Sequence, residues 1–298
     1  MTITTTTLLG GGMVSEILSG LVTEALYDPT SLRSIALQVP PGFGSTTSEV
    51  TIDAAPAAFT APGETTAVTP AAYSTSEFEL ILAKYSRAYQ ITDLVGVSGS
   101  PINMQRIVAN LIQGLELTLT EQMAATFSSF TAQEGNAATV LTVDDVMDAS
   151  FALNLANNSG PYACVLSPKQ MNEFKDDLRG QQNLMAYNMP SQEQLTGKGN
   201  GWQGSWNGID LWQTSSVVTA AAVVSGAMMS QNAIAYQLGN VAQMQGHIPA
   251  ANMIVNTPEL VVELDRSALS GMSSAVVHAY IATAIANDSR GVEIVSLG

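Results

Sequence analysis

Apolar residues recur at helical spacing in two stretches. Met13, Ile17, Leu18, Leu21, Val22 and Leu26 follow one another every three to four positions and predict a short amphipathic helix. It stops before Asp28-Pro29, because the residue ahead of a proline is pushed out of the right-handed helical region. The longer stripe runs through Met104, Ile107, Val108, Leu111, Ile112, Leu115, Leu119, Met123, Phe127 and Phe130. Ser100-Pro101 supplies an N-cap and a proline at the first helical position, so the pattern predicts a helix over 101–130, a rod of roughly 43 Å. Gln105, Arg106, Asn110, Gln113, Glu116 and Thr120 fill its other face, so one side is expected to be covered and the other open.

Alternation of period two marks the strands. Residues 75–92 read as a strand with Phe78, Leu80 and Leu82 on one face and Glu77, Glu79 and Ile81 on the other. Before it, residues 33–73 carry prolines at 40, 41, 56, 62 and 70, short alternating pieces such as 48–52, and few large apolar side chains. A segment of this kind cannot bury its own surface, and an extended hairpin packed on another subunit resolves that difficulty. The first dozen residues, rich in Thr and Gly, have no periodicity and read as an arm.

From about 140 to 238 helix and strand patterns alternate. Thr142-Val-Asp-Asp caps a helix to about Asn157, 162–166 is a short strand, and Ser167-Pro168 starts a helix ending at Gly180. Trp206-Asn-Gly-Ile-Asp-Leu-Trp reads as a turn into a strand, and 227–236 is a further apolar piece. Two long strands, 259–264 and 275–285, and a terminal strand at 292–297 complete the chain.

Composition narrows the function. Ten Lys and Arg against 25 Asp and Glu give the 298 residues a net charge of −15, which is not a phosphate-neutralising surface. Charged residues are only 12% of the chain, so much of its polarity comes from neutral side chains, as on a surface made for protein contact. A single cysteine, Cys164, excludes a disulfide framework, and two histidines, His247 and His278, leave little for a zinc site or a His-based triad. No basic leader and no apolar stretch of membrane-spanning length is present, which predicts a non-secreted protein without a membrane partner.

The motifs that spell chemistry have plainer readings. Residues 199–204 satisfy GxGxxG, yet a strand rather than a helix is expected after them, so phosphates find no helix N-terminus. Asp144, Asp145 and Asp148 sit in the first turns of a helix, where negative charge complements the dipole. Trp202, Trp206 and Trp212 are expected to pack in a core or between subunits, and His278 and Cys164 to be packed strand residues. No catalytic residue, cofactor or metal site is expected.

The order of arm, long hairpin, strand, spine helix, alternating domain and two-stranded return resembles the major capsid proteins of tailed phages, of the Hong Kong 97 fold. The resemblance covers nearly the whole chain. It is carried by APGETTAVTPAAYSTSEFELILAKYSRAYQITDLV, by TVDDVMDASFALN with GPYACVLSPKQMNEF, by GSWNGIDLWQTSSV and by VVELDRSALSGMSSAVVHAY. It implies an α+β capsid fold with an N-terminal arm and short helix (1–32), an extended loop (33–74), a peripheral domain (75–139 and 256–286) containing the spine helix, and an axial domain (140–255 and 287–298).

The role so implied is a non-enzymatic subunit that joins itself in pentamers and hexamers to form an icosahedral virion shell around double-stranded DNA. Assembly in the host cytoplasm, with a portal and a separate scaffolding protein, goes with it. Phe59 and Glu64 near the hairpin tip, Arg106 on the spine and Arg266 at the return loop are the expected inter-subunit contacts. Some relatives weld their shells through a lysine of the extended loop. Here Lys84, Lys169, Lys175 and Lys198 all fall outside 33–73, so no such cross-link is expected. The same fold also serves cellular nanocompartments, and a small-molecule α/β enzyme or a tail-tube or fibre protein are the remaining alternatives.

Overall fold

The structure is a computed structural model that describes residues 32–41, 46–53, 72, 75–93, 104–180, 187–188, 201–220, 222–240, 253–256, 260–267 and 271–298. The arm and the helix expected at 13–26 lie outside these residues.

A single 3-10 turn, Leu32–Ser34, leads into β1 (Leu37–Val39). Next, β2 (Thr47–Asp53) pairs antiparallel with β3 (Thr75–Ile81), Thr47 opposite Ile81 and Asp53 opposite Thr75. The strand expected over 75–92 is divided at Leu82: β3 belongs to this hairpin, and β4 (Ala83–Thr92) joins a larger sheet. Its alternation holds across the break. Leu80 is fully buried beside Val39, Ala235 and Ala282, with Phe78 and Leu82 against them, while Ile81 is 62% exposed.

The long stripe forms α1 (Met104–Ala125), which tightens into a 3-10 turn at Phe127–Ser129 instead of continuing to 130. Thr126 donates to the Met123 carbonyl through both its N–H, at 3.1 Å, and its hydroxyl, at 2.7 Å, a contraction common at helix ends. Val108, Ile112, Leu119 and Met123 are buried as the stripe predicts. Glu116 and Thr120, expected on the open face, are buried too. The Leu32–Ser34 turn packs on this face, and Arg33 Nη2 meets Glu116 Oε1 at 2.6 Å. A helical wheel cannot show that a segment 80 residues upstream returns to cover it.

Next come β5 (Gln133–Gly135), α2 (Val143–Leu155), β6 (Tyr162–Leu166) and α3 (Pro168–Gly180). Both helices start with reciprocal capping boxes. Asp145 N–H donates to Thr142 Oγ1 and Thr142 N–H to Asp145 Oδ2; Gln170 N–H donates to Ser167 Oγ and Ser167 N–H to Gln170 Oε1. Then follow β7 (Tyr187–Asn188), β8 (Trp202–Trp206) and β9 (Ile209–Gln213). The β8–β9 turn has Asn207 at φ 48° and Gly208 at φ 80°, the left-handed pair that suits a two-residue hairpin.

Two further strands, β10 (Thr219–Ala220) and β11 (Val223–Met229), precede β12 (Ile234–Leu238). The apolar piece expected at 227–236 is thus two strands in different sheets. The chain ends with β13 (Met253–Asn256), β14 (Leu260–Ser267), β15 (Met272–Ile285) and β16 (Gly291–Leu297).

The first sheet runs β1-β12-β15-β14-β13, with β4 also on β15, whose 14 residues hold three partners. Helix α1 packs on it. The second runs β5-β16-β11-β6-β9-β8-β7, with β10 on β11. One face of this sheet is covered by α2 and α3: Val146 and Leu153, with Met171 and Phe174, pack on Cys164, Leu211, Met228 and Ile294. On the other face, Val165, Trp212, Ala227 and Met229 join Phe127 and the α1 stripe in one cluster that reaches Val262 and Val277 of the first sheet.

The chain crosses between the sheets at 126–132, 230–233 and 286–290, and the crossings are laced together. Ser230 N–H donates to Arg290 O at 2.9 Å, and Ala286 N–H to Ala233 O at 2.8 Å. Thr131 N–H donates to Asp288 Oδ1 at 2.9 Å.

Candidate assembly surfaces

Polar clusters with the residue types of an active site turn out to be structural. Asp145 completes the α2 cap, and among the described residues no group of His, Cys, Asp and Glu is placed to hold a metal ion. The letters of the 199–204 glycine motif run into β8, a strand, so no helix N-terminus follows them. The three tryptophans are buried on opposite faces of the second sheet. A register shift between Trp202 and Gly204 breaks the period of two, which sends Trp206 towards α3 and leaves Trp202 opposite Trp212 on the reverse side. Trp206 meets Phe174 edge-on, with ring centroids 5.4 Å apart. Cys164 is buried, and burial pushes its thiol far above the ordinary range, so it is no nucleophile.

Ser86, His278 and Glu263 form a row. Ser86 Oγ lies 2.7 Å from His278 Nδ1, and His278 Nε2 lies 3.5 Å from Glu263 Oε1. Burial, then the charge of Lys84, holds the imidazole below its usual value, with Glu263 opposing. The row runs across the paired strands β4, β15 and β14 and ties them together. A cleft of about 130 Å³ over Gly114, between α1 and Tyr85, Arg87 and Val277, is small for a ligand site. Among the described residues no helix is long and apolar enough to cross a membrane.

The expected contact residues are scattered over the fold. Phe59 and Glu64 lie outside the described residues, in the segment between β2 and β3. Arg106 is in the first turn of α1, its side chain outside the described set. Arg266, near the end of β14, is 67% exposed and pairs with Asp93 at 3.0 Å, where Asp93 N–H also donates to Gly271 O. This pair closes the return tip against the end of β4.

One surface went unnoticed in the sequence. Helix α2 buries Val143, Val146, Ala149 and Leu153, and carries a second apolar stripe, Met147, Phe151 and Leu155, exposed to solvent. The signal was present: apolar residues on α2 are more numerous than one buried face needs. A second exposed apolar group, Val140, Val218 and Leu297, lies where β16 ends.

The β2–β3 pair, a long helix on a sheet of mixed direction and a second sheet under two helices define the class of fold: α+β, of the Hong Kong 97-like capsid type. Neither a family model nor a curated protein matches the chain. Among solved structures, it is similar to the head of Helicobacter pylori bacteriophage KHP40, with TM-score 0.64, 10% identity and 91% of each chain covered. It is also similar to the capsid of an empty GTA particle computed with C5 symmetry, with TM-score 0.61, 14% identity and 91% of each chain covered. The SrpI encapsulin complex from Synechococcus elongatus PCC 7942 has TM-score 0.58, 11% identity and coverage of 88% of this chain and 85% of that one.

Proposed function

We propose that the chain is a major capsid protein, a shell subunit that joins itself through pentamers and hexamers into an icosahedral virion enclosing double-stranded DNA. The observation that carries this reading is the extent of the likeness to phage heads, about nine-tenths of both chains. The capsids that the chain resembles are built of shell proteins, which supports a structural rather than an enzymatic role. In this reading 140–255 and 287–298 form the axial domain, 75–139 and 256–286 the peripheral domain, and 33–74 the extended loop over a neighbour. Phe59, Glu64, Arg106 and Arg266 are assigned to contacts between subunits, and a portal and a scaffolding protein are the other partners. Assembly takes place in the host cytoplasm. With a net charge of −15 the chain touches DNA weakly and without sequence preference, which leaves the contents of a filled container free to move.

A second reading, the shell of a protein-loaded nanocompartment, is favoured by the likeness to the SrpI encapsulin. Negative-stain electron microscopy and light scattering on the purified chain test both readings. Closed shells or five- and sixfold rings are expected, alone or on co-expression with a scaffold. A monomer that persists with every candidate scaffold refutes a shell role. Nuclease-protected DNA in native particles selects the capsid, and a protein cargo selects the compartment.

A further inference from the structure

We propose that Gln237 is a positioning residue of the subunit: its buried amide sets the orientation in which the β2–β3 pair lies on the first sheet, and with it the place at which that pair meets a neighbouring copy. The second half of this statement rests on the shell reading, and the first does not.

The β2–β3 pair lies on a smooth bed. Strand register puts Leu37, Ala235 and Ala284 in one row across β1, β12 and β15, and Val39, Gln237 and Ala282 in the next. Leu80 is fully buried at this face, with Val50, Ile52 and Phe78 half-buried beside it. Three of the six side chains in the two rows are alanine methyls, which give contact area but little relief for larger side chains to interlock with. Apolar burial is non-directional, so it holds the pair down without fixing its angle. Direction comes from hydrogen bonds.

Gln237 is the polar member of the two rows, and it is completely buried. Its Nε2 donates to Pro40 O at 3.0 Å and to Ser48 Oγ at 2.8 Å. A backbone carbonyl only accepts, which identifies the bonded atom as the amide nitrogen. The two acceptors stand on either side of the passage from β1 to β2: Pro40 follows the last residue of β1, and Ser48 of β2 lies opposite Leu80. One amide on β12 therefore ties the end of β1 and the start of β2 to the same point of the sheet.

The other half of this amide is unused. Among the described residues no donor reaches Gln237 Oε1, which is buried. Gln170 bonds through both its oxygen and its nitrogen, Gln237 through its nitrogen alone. A dry, unpaired carbonyl lowers stability, and a leucine of similar size would leave none. What the glutamine supplies over leucine is direction.

Orientation matters because of what the outer face carries. Glu49 stands directly opposite Glu79, Glu77 is the next residue of β3 on that face, and neither strand has a Lys or Arg. Turning the pair on its bed moves these charges relative to the sheet, and the placement of charge decides which surfaces of a neighbour they can meet.

Cys164 is buried and stays unlabelled, so spin labels at Thr51→Cys on β2 and Gln90→Cys on β4, both exposed, report the orientation of the pair against the sheet in the unassembled full chain. Pulsed electron resonance is expected to give a narrow distance distribution with Gln237 in place and a broad or two-peaked one with Gln237→Leu. Pro40 is exposed and Ser48 half-buried, so water replaces the bonds they lose, and the melting midpoint is expected to stay within about 3 °C of the parent. A distribution as narrow as the parent's overturns the proposal. Should Gln237→Leu fail to fold, Ser48→Ala removes one of the two bonds at a half-buried position; an intermediate width supports the proposal, and the parent width overturns it. Particle yield separates this reading from the one beneath it. Shells from Gln237→Leu equal to the parent's in size and yield overturn the link to assembly. No particles from parent or variant with any candidate scaffold, beside a broadened distribution in the variant, refute the shell reading and leave the positioning role standing.

Discussion

Gln170 is the residue whose replacement tests the packing argument most severely. It is fully buried at the start of α3, and its side chain makes three hydrogen bonds. Its carbonyl accepts from Ser167 N–H at 3.2 Å, and its amide donates to Val224 O and Ile294 O, each at 3.2 Å, on the adjacent strands β11 and β16. Gly226 makes room for this approach, since a Cβ there would stand 2.9 Å from Gln170 Oε1 and 2.7 Å from Val165 O. Gln170→Met keeps the length of the side chain and removes all three bonds. At about 1 kcal/mol for each bond, and more for a group left dry and unpaired, the loss is about 3–5 kcal/mol. Gln170→Glu points a carboxylate at two carbonyls and costs more at neutral pH. Its folded-state acid is raised, so its stability, measured against the parent at equal pH, recovers as the pH falls below the carboxyl range and the proton restores one donor. Urea unfolding of the unassembled chain, followed by the fluorescence of the buried tryptophans, measures both variants. If Gln170→Met unfolds within about 1 kcal/mol of the parent with the same slope, the amide is not the clasp between α3 and the sheet.

Gly114→Ala should stabilise the chain by about 1 kcal/mol, because a Cβ there meets nothing within 4 Å and the helix interior favours alanine; calorimetry should show a rise in Tm of about 2 °C. The His278 imidazole is held below its unfolded value of 6.5, so the stability that depends on the neutral ring is complete above that pH and is lost as the pH falls through the folded value. His278→Asn should therefore flatten the decline of the unfolding midpoint as the pH falls below 6.5, and an unchanged slope would assign the decline to other groups. Arg266→Glu breaks an exposed ion pair and should cost under about 1 kcal/mol in folding. Its effect should instead be seen in the yield of assembled particles on sucrose gradients, and shells at the parent yield would remove Arg266 from the contacts.

Local rules were legible where the responsible residues are neighbours in sequence. Ser167-Pro168 and Gly180 bound α3 as expected, Thr142 and Asp145 start α2, and 162–166 is a strand because apolar residues there run between turn signals. Distant partners decided what was missed. Leu82 divides its strand because one half pairs with β2 and the other with β15, and Glu116 is buried by a turn far upstream. The period of two fails at the tryptophans because of one register shift, which letters alone do not reveal. As for surfaces, Arg266 lies exposed near the end of β14. The α2 stripe was overlooked because the difference between Val146 and Phe151 is visible only once the sheet beneath them is in place.

The laced crossings between the two sheets carry a mechanical consequence. Three passages of chain, bonded to one another through Ser230, Ala233, Asp288 and Arg290, act as a welded corner instead of a pivot. Bending one sheet against the other means breaking several backbone hydrogen bonds together and prising Phe127 and Phe130 out of the shared core. A container built from one kind of piece needs different tilts at its flat and its sharply curved positions. In the proposed shell a corner this stiff makes each copy a rigid tile, and the play falls to the contacts between copies.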